Sequence, residues 1–562
     1  MQFKQTLLIL ILCPVLAFSQ TTYLPQGDKA NILLERMEIL AQKDSVLNFS
    51  KTKPFSRKQV IPAVEKYVSI GEGFVHDETK GIDLSIIDVY NAASLYASNS
   101  EWSQKQIKSK KPLGKFYRTP ANLYEVHVKD FDLIINPVIQ FQYMKESDND
   151  ESLFLNSRGV TIRGRIANKI GFAASIVDNQ ERDPLYVQAW EDKYQSVPGA
   201  GYYKNFKGTG FDYFDARGYF TFNVTKYIDV TFGYDRNFIG NGTRSLFLSD
   251  FSNNTLFLKL NTRIWKFNYQ NLFMELHQTE PRGPDRLLRK KYAVFHHLDV
   301  NVTRKLNIGL FEGVMFGRSN RFEFGYLNPV IFYRSIEQQN GSFDNSVAGI
   351  DFKLNTLKQV QVYGQFLLDE FNLKEIKKND GWWANKWGLQ LGAKYINAFG
   401  LKNLDLQLEH NRVRPFTYSH RDSIANYSHY NQPLAHPLGA NFSEMVGILR
   451  YQPAPKWTIL AKAMRWKQGL DTGSRSFGAN IFLPNVPPYR QGDRGYEIVS
   501  GIESKTTYLS LLLSYELKEN LFIEASAIKR KFDVASNSAL SANTTIVSFG
   551  IRWNMHRRVF EF

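Results

Sequence analysis

From about residue 122 to the end of the chain, apolar and polar residues alternate with period two, segment after segment. In IVSFGIRWNM, Val547, Phe549, Ile551, Trp553 and Met555 share one face, and Ser548, Gly550, Arg552 and Asn554 the other. Such alternation predicts a strand that is apolar on one side and wet on the other. IINPVIQFQYM sets Ile135, Ile139, Phe141 and Tyr143 against Asn136, Gln140 and Gln142. WKFNYQ sets Trp265, Phe267 and Tyr269 against Lys266, Asn268 and Gln270; LDLQLEH sets Leu404, Leu406 and Leu408 against Asp405, Gln407 and Glu409. GYFTFNV adds Phe220, Phe222 and Val224 against Tyr219, Thr221 and Asn223. A soluble sandwich also alternates, but its packed core would not accept these charges and amides without partners. TKYID (Thr225 to Asp229) and TRKLN (Thr303 to Asn307) read as short turns, and Asp533 to Asn543 as a long polar loop. Short turns at one end and long loops at the other are the plan of an outer-membrane β-barrel.

The first hundred residues follow another period. DKANILLERMEILAQ places Leu33, Met37 and Leu40 at helical spacing behind Asp28, a candidate cap. A second helix is expected behind Ser56, and a third carries Ile86, Val89, Tyr90 and Ala93 as its apolar stripe. Lys4, the apolar run Leu7 to Leu16 and Ala17 to Ser19 form an export signal. Cleavage after Ser19 is preferred to lipidation at Cys13, because Ile11 and Leu12 stand where small residues would be expected. The expected division is therefore a signal peptide at 1–19, a helical unit facing the periplasm at 20–115 and an outer-membrane β-barrel at 116–562.

Composition supports the barrel. Phe (42) and Tyr (29) dominate the 14% of aromatic residues, and mean hydropathy is negative. After the signal, no apolar run reaches the ~18 residues of a spanning helix. Cys13 is the single cysteine, so the processed chain has no disulfide, no thiol nucleophile and no cysteine-based metal motif.

Several segments carry a family resemblance: YDRNFIGNGTRSLFLSDFSNNTLFLKL (Tyr234 to Leu260), GYLNPVIFYRSIEQQNGSFDN (Gly325 to Asn345), YGQFLLDEF, DGWWANKWGLQLG and EHNRVRPFTYSH. They resemble the Wzi-type outer-membrane capsule-assembly proteins, and most of all the gliding-motility-associated relatives of Bacteroidota. The resemblance implies a barrel of about 18 strands that holds secreted polysaccharide at the cell surface, with no enzymatic activity and no cofactor. It supplies no ligand residues that transfer position by position.

The candidate binding residues come from side-chain chemistry. Trp382 and Trp383, with Trp387 nearby, suit either stacking on sugar rings or a girdle at the membrane edge. As neighbours in a strand, Trp382 and Trp383 would point to opposite faces. Arg412 and Arg414, with the basic segment Thr279 to Lys291 and a net charge of +16, suit an acidic polysaccharide or the phosphates of surface lipid. His410, His420, His429 and His436, near Asp422 and Glu444, read as a polar loop, as sugar contacts centred on His420 and His429, or as metal ligands. Pro433, Pro437 and Gly439 break any regular element that would fix ligands, so no metal is expected. GNGTRS (Gly240 to Ser245) lacks the strand-to-helix context of a phosphate loop and reads as a tight turn.

Two functions follow. One is a non-enzymatic surface protein that retains capsular or exopolysaccharide in the outer membrane. The other is a structural subunit of a multiprotein outer-membrane complex for gliding, secretion or barrel assembly, in contact with other membrane proteins or peptidoglycan. An open porin is disfavoured by bulky inward residues such as Tyr219 and Phe257. No Ser/His/Asp set shares a strand face, and no nucleic-acid-binding module is recognised.

Overall fold

The structure is a computed structural model, and it describes residues 21–562 except 71–75, 78–80, 281–286, 342 and 474. The expected export signal and its cleavage position lie outside the described residues.

The main sheet has 20 antiparallel strands, of which 18 form a closed wall. Neighbours in sequence pair in order from Phe131–Glu146 to Ala542–Trp553, and these two close the barrel through Ile546↔Glu146 to Trp553↔Ile139. The short strands Tyr124–Val128 and Lys204–Phe206 extend the sheet without enlarging the wall. Alternation sorts the faces as the pattern predicts. Phe549, Phe141 and Leu408 are 62, 56 and 61% exposed on the outside, while Glu409, Thr221 and Arg552 are buried inside. An apolar outer face on a closed barrel is that of an outer-membrane protein. WKFNYQ differs at its start: Trp265 adopts a φ of 54° in the turn before Phe267–His277 and is exposed there.

The helical unit sits against the short-turn end and locks into the lumen through charge. Helix Lys29–Ala41 is capped by Asp28, which accepts the Ala30 amide at 2.8 Å. Its Leu33 and Met37 pack with Val60, Ile61, Ala92 and Tyr96 of helices Arg57–Glu65 and Ile86–Ser98. The same helix turns charges toward the barrel: Glu35 pairs with Lys394 (2.7 Å), Glu38 with Lys353 (2.5 Å) and Arg36 with Asp405. Two local expectations are corrected. Ser56 precedes its helix without capping it, because its hydroxyl donates to Thr21 instead. The third helix buries Val89 and Ala93 of the expected stripe, joined by Ile87, Ala92 and Tyr96, but leaves Ile86 exposed at its start, where a box between Ser85 and Asp88 caps the helix.

One connection leaves the rim on the outside. Residues 317–341 fold down over the outer wall, and Tyr326 and Tyr333 cover Phe273, Val294, Val314 and Phe316. Pro329 O accepts the Tyr269 hydroxyl (2.7 Å) and the Asn271 amide (3.0 Å), only a few residues above the short-turn end. This strap explains why an outward valine, Val294, is fully buried and why polar Asn271 and His296 are tolerated on that face. The strap's own outer side carries Phe324, Val330 and Phe332, all strongly exposed.

Candidate functional site

The lumen is filled by the chain itself. The segment between Ile228–Asp235 and Thr255–Ile264 crosses it to the opposite wall, where Glu409 accepts the Thr243 and Arg244 amides (2.8 and 3.2 Å). Tyr363 donates its hydroxyl to the same carboxylate (2.8 Å), and Gln365 accepts the Leu246 amide (2.8 Å). A Cβ at Gly242 would lie 2.4 Å from Glu409 Oε2, so only glycine allows this approach. GNGTRS, expected as a tight turn, thus lies on the lumen crossing. Phe247 and Phe257 pack inside with Tyr418, Tyr427 and Leu434 from the histidine-bearing loop.

Arg244 is the hub of this interior. It donates to Glu444 (3.3 Å) and to the backbone carbonyl of Glu561 (2.5 Å). Burial works against its charge, but Glu444 and Glu561 more than compensate and hold the guanidinium above its ordinary pKa. The tail after Trp553 folds back into the lumen, where Phe562 packs on Trp190 (5.4 Å) and Phe251 (5.8 Å). Arg244 and Glu409 were not singled out from sequence, since their partners are far apart along the chain. Gly242 beside a strand with inward Glu409 was the available signal.

The histidines do not converge. His436 meets Glu444 at 2.7 Å, fully buried. His429 takes the His277 amide on Nδ1 (3.0 Å) and lies 3.0 Å from the Asn254 carbonyl through Nε2. Burial pushes its pKa down to about 3, with His277 adding to the effect. His420 accepts the Asp422 amide on Nδ1 (3.2 Å), and burial, then Lys386, lowers its pKa. Each ring ties one loop segment to backbone or to a carboxylate. Among the described residues, no three such groups are placed to hold a metal ion.

The other candidates lie at the long-loop rim. Trp382 and Trp383 sit in the loop before Lys386–Tyr395, not in a strand, so the expectation of opposite strand faces does not hold. Trp383 is packed: the Arg490 guanidinium lies 4.2 Å above its ring, Phe416 meets it edge-on at 6.0 Å, and its amide donates to Asp493 O (3.0 Å). Arg414 turns inward and donates to the carbonyls of Asn385 and Tyr496 (both 2.7 Å). It holds the Trp loop against the segment around Tyr496. His420 joins this cluster through Asn485, whose amide donates to His420 O (3.3 Å) and whose carbonyl accepts from Arg490 (2.8 Å). Trp382 is partly exposed beside Trp383 (6.3 Å). Trp387 faces outward beside Phe366 (6.4 Å), as a girdle residue would. Arg412 is exposed on the outer wall, and His429 lies deep in the lumen, so neither belongs to the rim cluster. In the basic segment Thr279 to Lys291, residues 281–286 lie outside the described residues; Lys291 is buried against Asn426 and Ser428, and Arg289 is paired with Glu280.

Known proteins match this fold without a close sequence relative. No family model and no curated protein sequence matches the chain. Among solved structures, the chain is similar to Wzi of Escherichia coli, described as a carbohydrate-binding β-barrel involved in group 1 capsule assembly. Identity is 13%, the match covers 96% of this chain and 100% of Wzi, and the TM-score is 0.58. OprD of Pseudomonas aeruginosa gives 12% identity, coverage of 76 and 96%, and a TM-score of 0.41. OccAB2 of Acinetobacter baumannii gives 8%, 75 and 98%, and 0.40. This chain thus shares the barrel architecture of Wzi over almost its whole length.

Proposed function

We propose that this chain is a non-enzymatic outer-membrane barrel that binds and retains secreted polysaccharide on its long-loop face. The observation that carries the reading is the combination of a self-filled lumen with a tied-down rim. The lumen crossing and the C-terminal tail place Arg244, Phe247 and Phe562 inside the barrel, which favours polymer contact at the outer ends of the loops over threading. There the partly exposed Trp382 offers a flat apolar ring, and the same loop carries the exposed Lys374 and Lys377, whose charge suits an acidic glycan, while Arg494 is paired with Glu375 and Asp380. Trp383, Arg414 and His420 position that surface by fixing three loops to one another. The likeness to Wzi, itself described as binding carbohydrate, favours the same reading.

Extraction in mild detergent, followed by glycan analysis and mass spectrometry of what remains bound, tests it. Acidic polysaccharide without stoichiometric proteins is the expected result. A stoichiometric set of membrane proteins without glycan would overturn retention in favour of a complex subunit for gliding, secretion or barrel assembly.

A further inference from the structure

The outside of one half of the barrel carries a basic stripe at the level of the long-loop rim. Register shows which side chains share it. Arg412 pairs with Ser443, Ser443 with Lys467, and Lys467 with Lys505. Arg465 pairs with Thr507, and Thr507 with Lys531; Lys529 lies two residues along on the same face. That face is the outer one, because the alternating residues Glu444, Trp466 and Thr506 are buried inside, while Leu408, Met445 and Leu509 beside the stripe are 61, 50 and 47% exposed.

Strand geometry sets the height. Trp457 and Tyr515 pair in register at the short-turn end with rings 4.8 Å apart, forming part of the inner aromatic girdle. Lys505 lies about ten residues along from Tyr515, which at ~3.3 Å per residue and ~40° tilt is roughly 25 Å, the height of the apolar band. Lys467 and Lys505 therefore emerge where acyl chains end and headgroups begin, with Arg465 and Lys529 in register with Thr507 and Leu509 below them, their long stems directed along the wall.

Local carboxylates answer only part of this charge. Glu503 is shared by Lys467 (3.3 Å) and Lys505 (3.1 Å), and Asp533 meets Lys531 (3.0 Å). Arg412, Arg465 and Lys529 have no ion pair among the described residues. The opposite half is mixed, with Asp178 on Arg158 (3.0 Å) and Glu275 on Lys290 (2.8 Å).

We propose that this stripe binds the phosphate groups of an anionic glycolipid in the outer leaflet. The site lies on the barrel's outer wall and does not depend on polymer retention by the loops. The test uses the full-length protein in nanodiscs containing phosphorylated lipid A or its dephosphorylated form, with bound lipid read by native mass spectrometry. Combining Arg465→Gln, Lys467→Gln, Lys505→Gln and Lys529→Gln is expected to lower retained phosphorylated lipid roughly tenfold or more. Arg158→Gln with Lys290→Gln on the other wall leaves it unchanged, and inorganic phosphate does not displace it. Equal retention by stripe variant and wild type, equal binding of dephosphorylated lipid, or displacement by inorganic phosphate would each overturn the proposal. If the combined variant does not insert, the comparison of the two lipids on the wild-type protein decides alone.

Discussion

Replacing Glu409 with Ala keeps the Arg244–Glu444 pair but removes the carboxylate that accepts two backbone amides of the lumen crossing. It leaves the Thr243 and Arg244 amides and the Tyr363 hydroxyl facing a buried space. Hydrogen bonds to a charged acceptor contribute ~1.5–3 kcal/mol each, so the two amides alone lose roughly 3–6 kcal/mol of local stability. At ~1.4 kcal/mol per decade this lowers their hydrogen-exchange protection by roughly 100- to 10,000-fold. Exchange mass spectrometry on residues 240–248 in detergent reads this directly, with the wall strands as internal reference. Glu409→Gln keeps one acceptor oxygen and should fall between the two. Unchanged protection of Thr243 and Arg244 in the Ala variant, with a folded wall, would refute the crossing.

Three further outcomes are expected. Tyr326→Ala removes a fully buried ring stacked on Phe316 (4.7 Å) and a hydroxyl that donates to Asp344 (2.7 Å). It should cost the strap ~3–5 kcal/mol and expose residues 317–341 to limited proteolysis while the barrel stays intact. Arg490→Ala frees Trp383 and Asn485, and should raise exchange in residues 471–501 and shift tryptophan fluorescence. For His429 the folded-state pKa of about 3 lies below the unfolded value, so its contribution is complete above pH ~6.5 and declines as pH falls toward 3. His429→Gln, which does not titrate, should flatten the pH dependence of exchange in residues 414–441 between pH 7 and 4.

The wall of the barrel was legible because alternation reports directly on a two-faced sheet: Phe549 against Arg552, or Leu408 against Glu409, needs no partner to be read. The strap was not legible for the same reason. Val294 and Phe316 are apolar and outward whether lipid or Tyr333 covers them, so period two cannot distinguish the two. The rim cluster was half legible. Trp382, Trp383, Arg414 and His420 stood out by residue type, but their division between surface and scaffold is set by Arg490 and Asn485, which lie in a loop with no period of its own. His429 and Arg412 drew attention for their chemistry and lie elsewhere, one in the lumen and one on the outer wall. In the third helix Val89 and Ala93 of the apolar stripe are buried as expected, while Ile86 at the first turn is exposed beside the Ser85–Asp88 box.

Cells lacking the gene, complemented with the wild-type chain or with Trp382→Ala, test polymer retention most directly when cell-bound and released polysaccharide are quantified side by side. The account predicts polymer in the medium without the protein, recovery with wild type, and partial recovery with Trp382→Ala at equal barrel levels in the outer membrane. Unaltered retention in cells that lack the protein would contradict it.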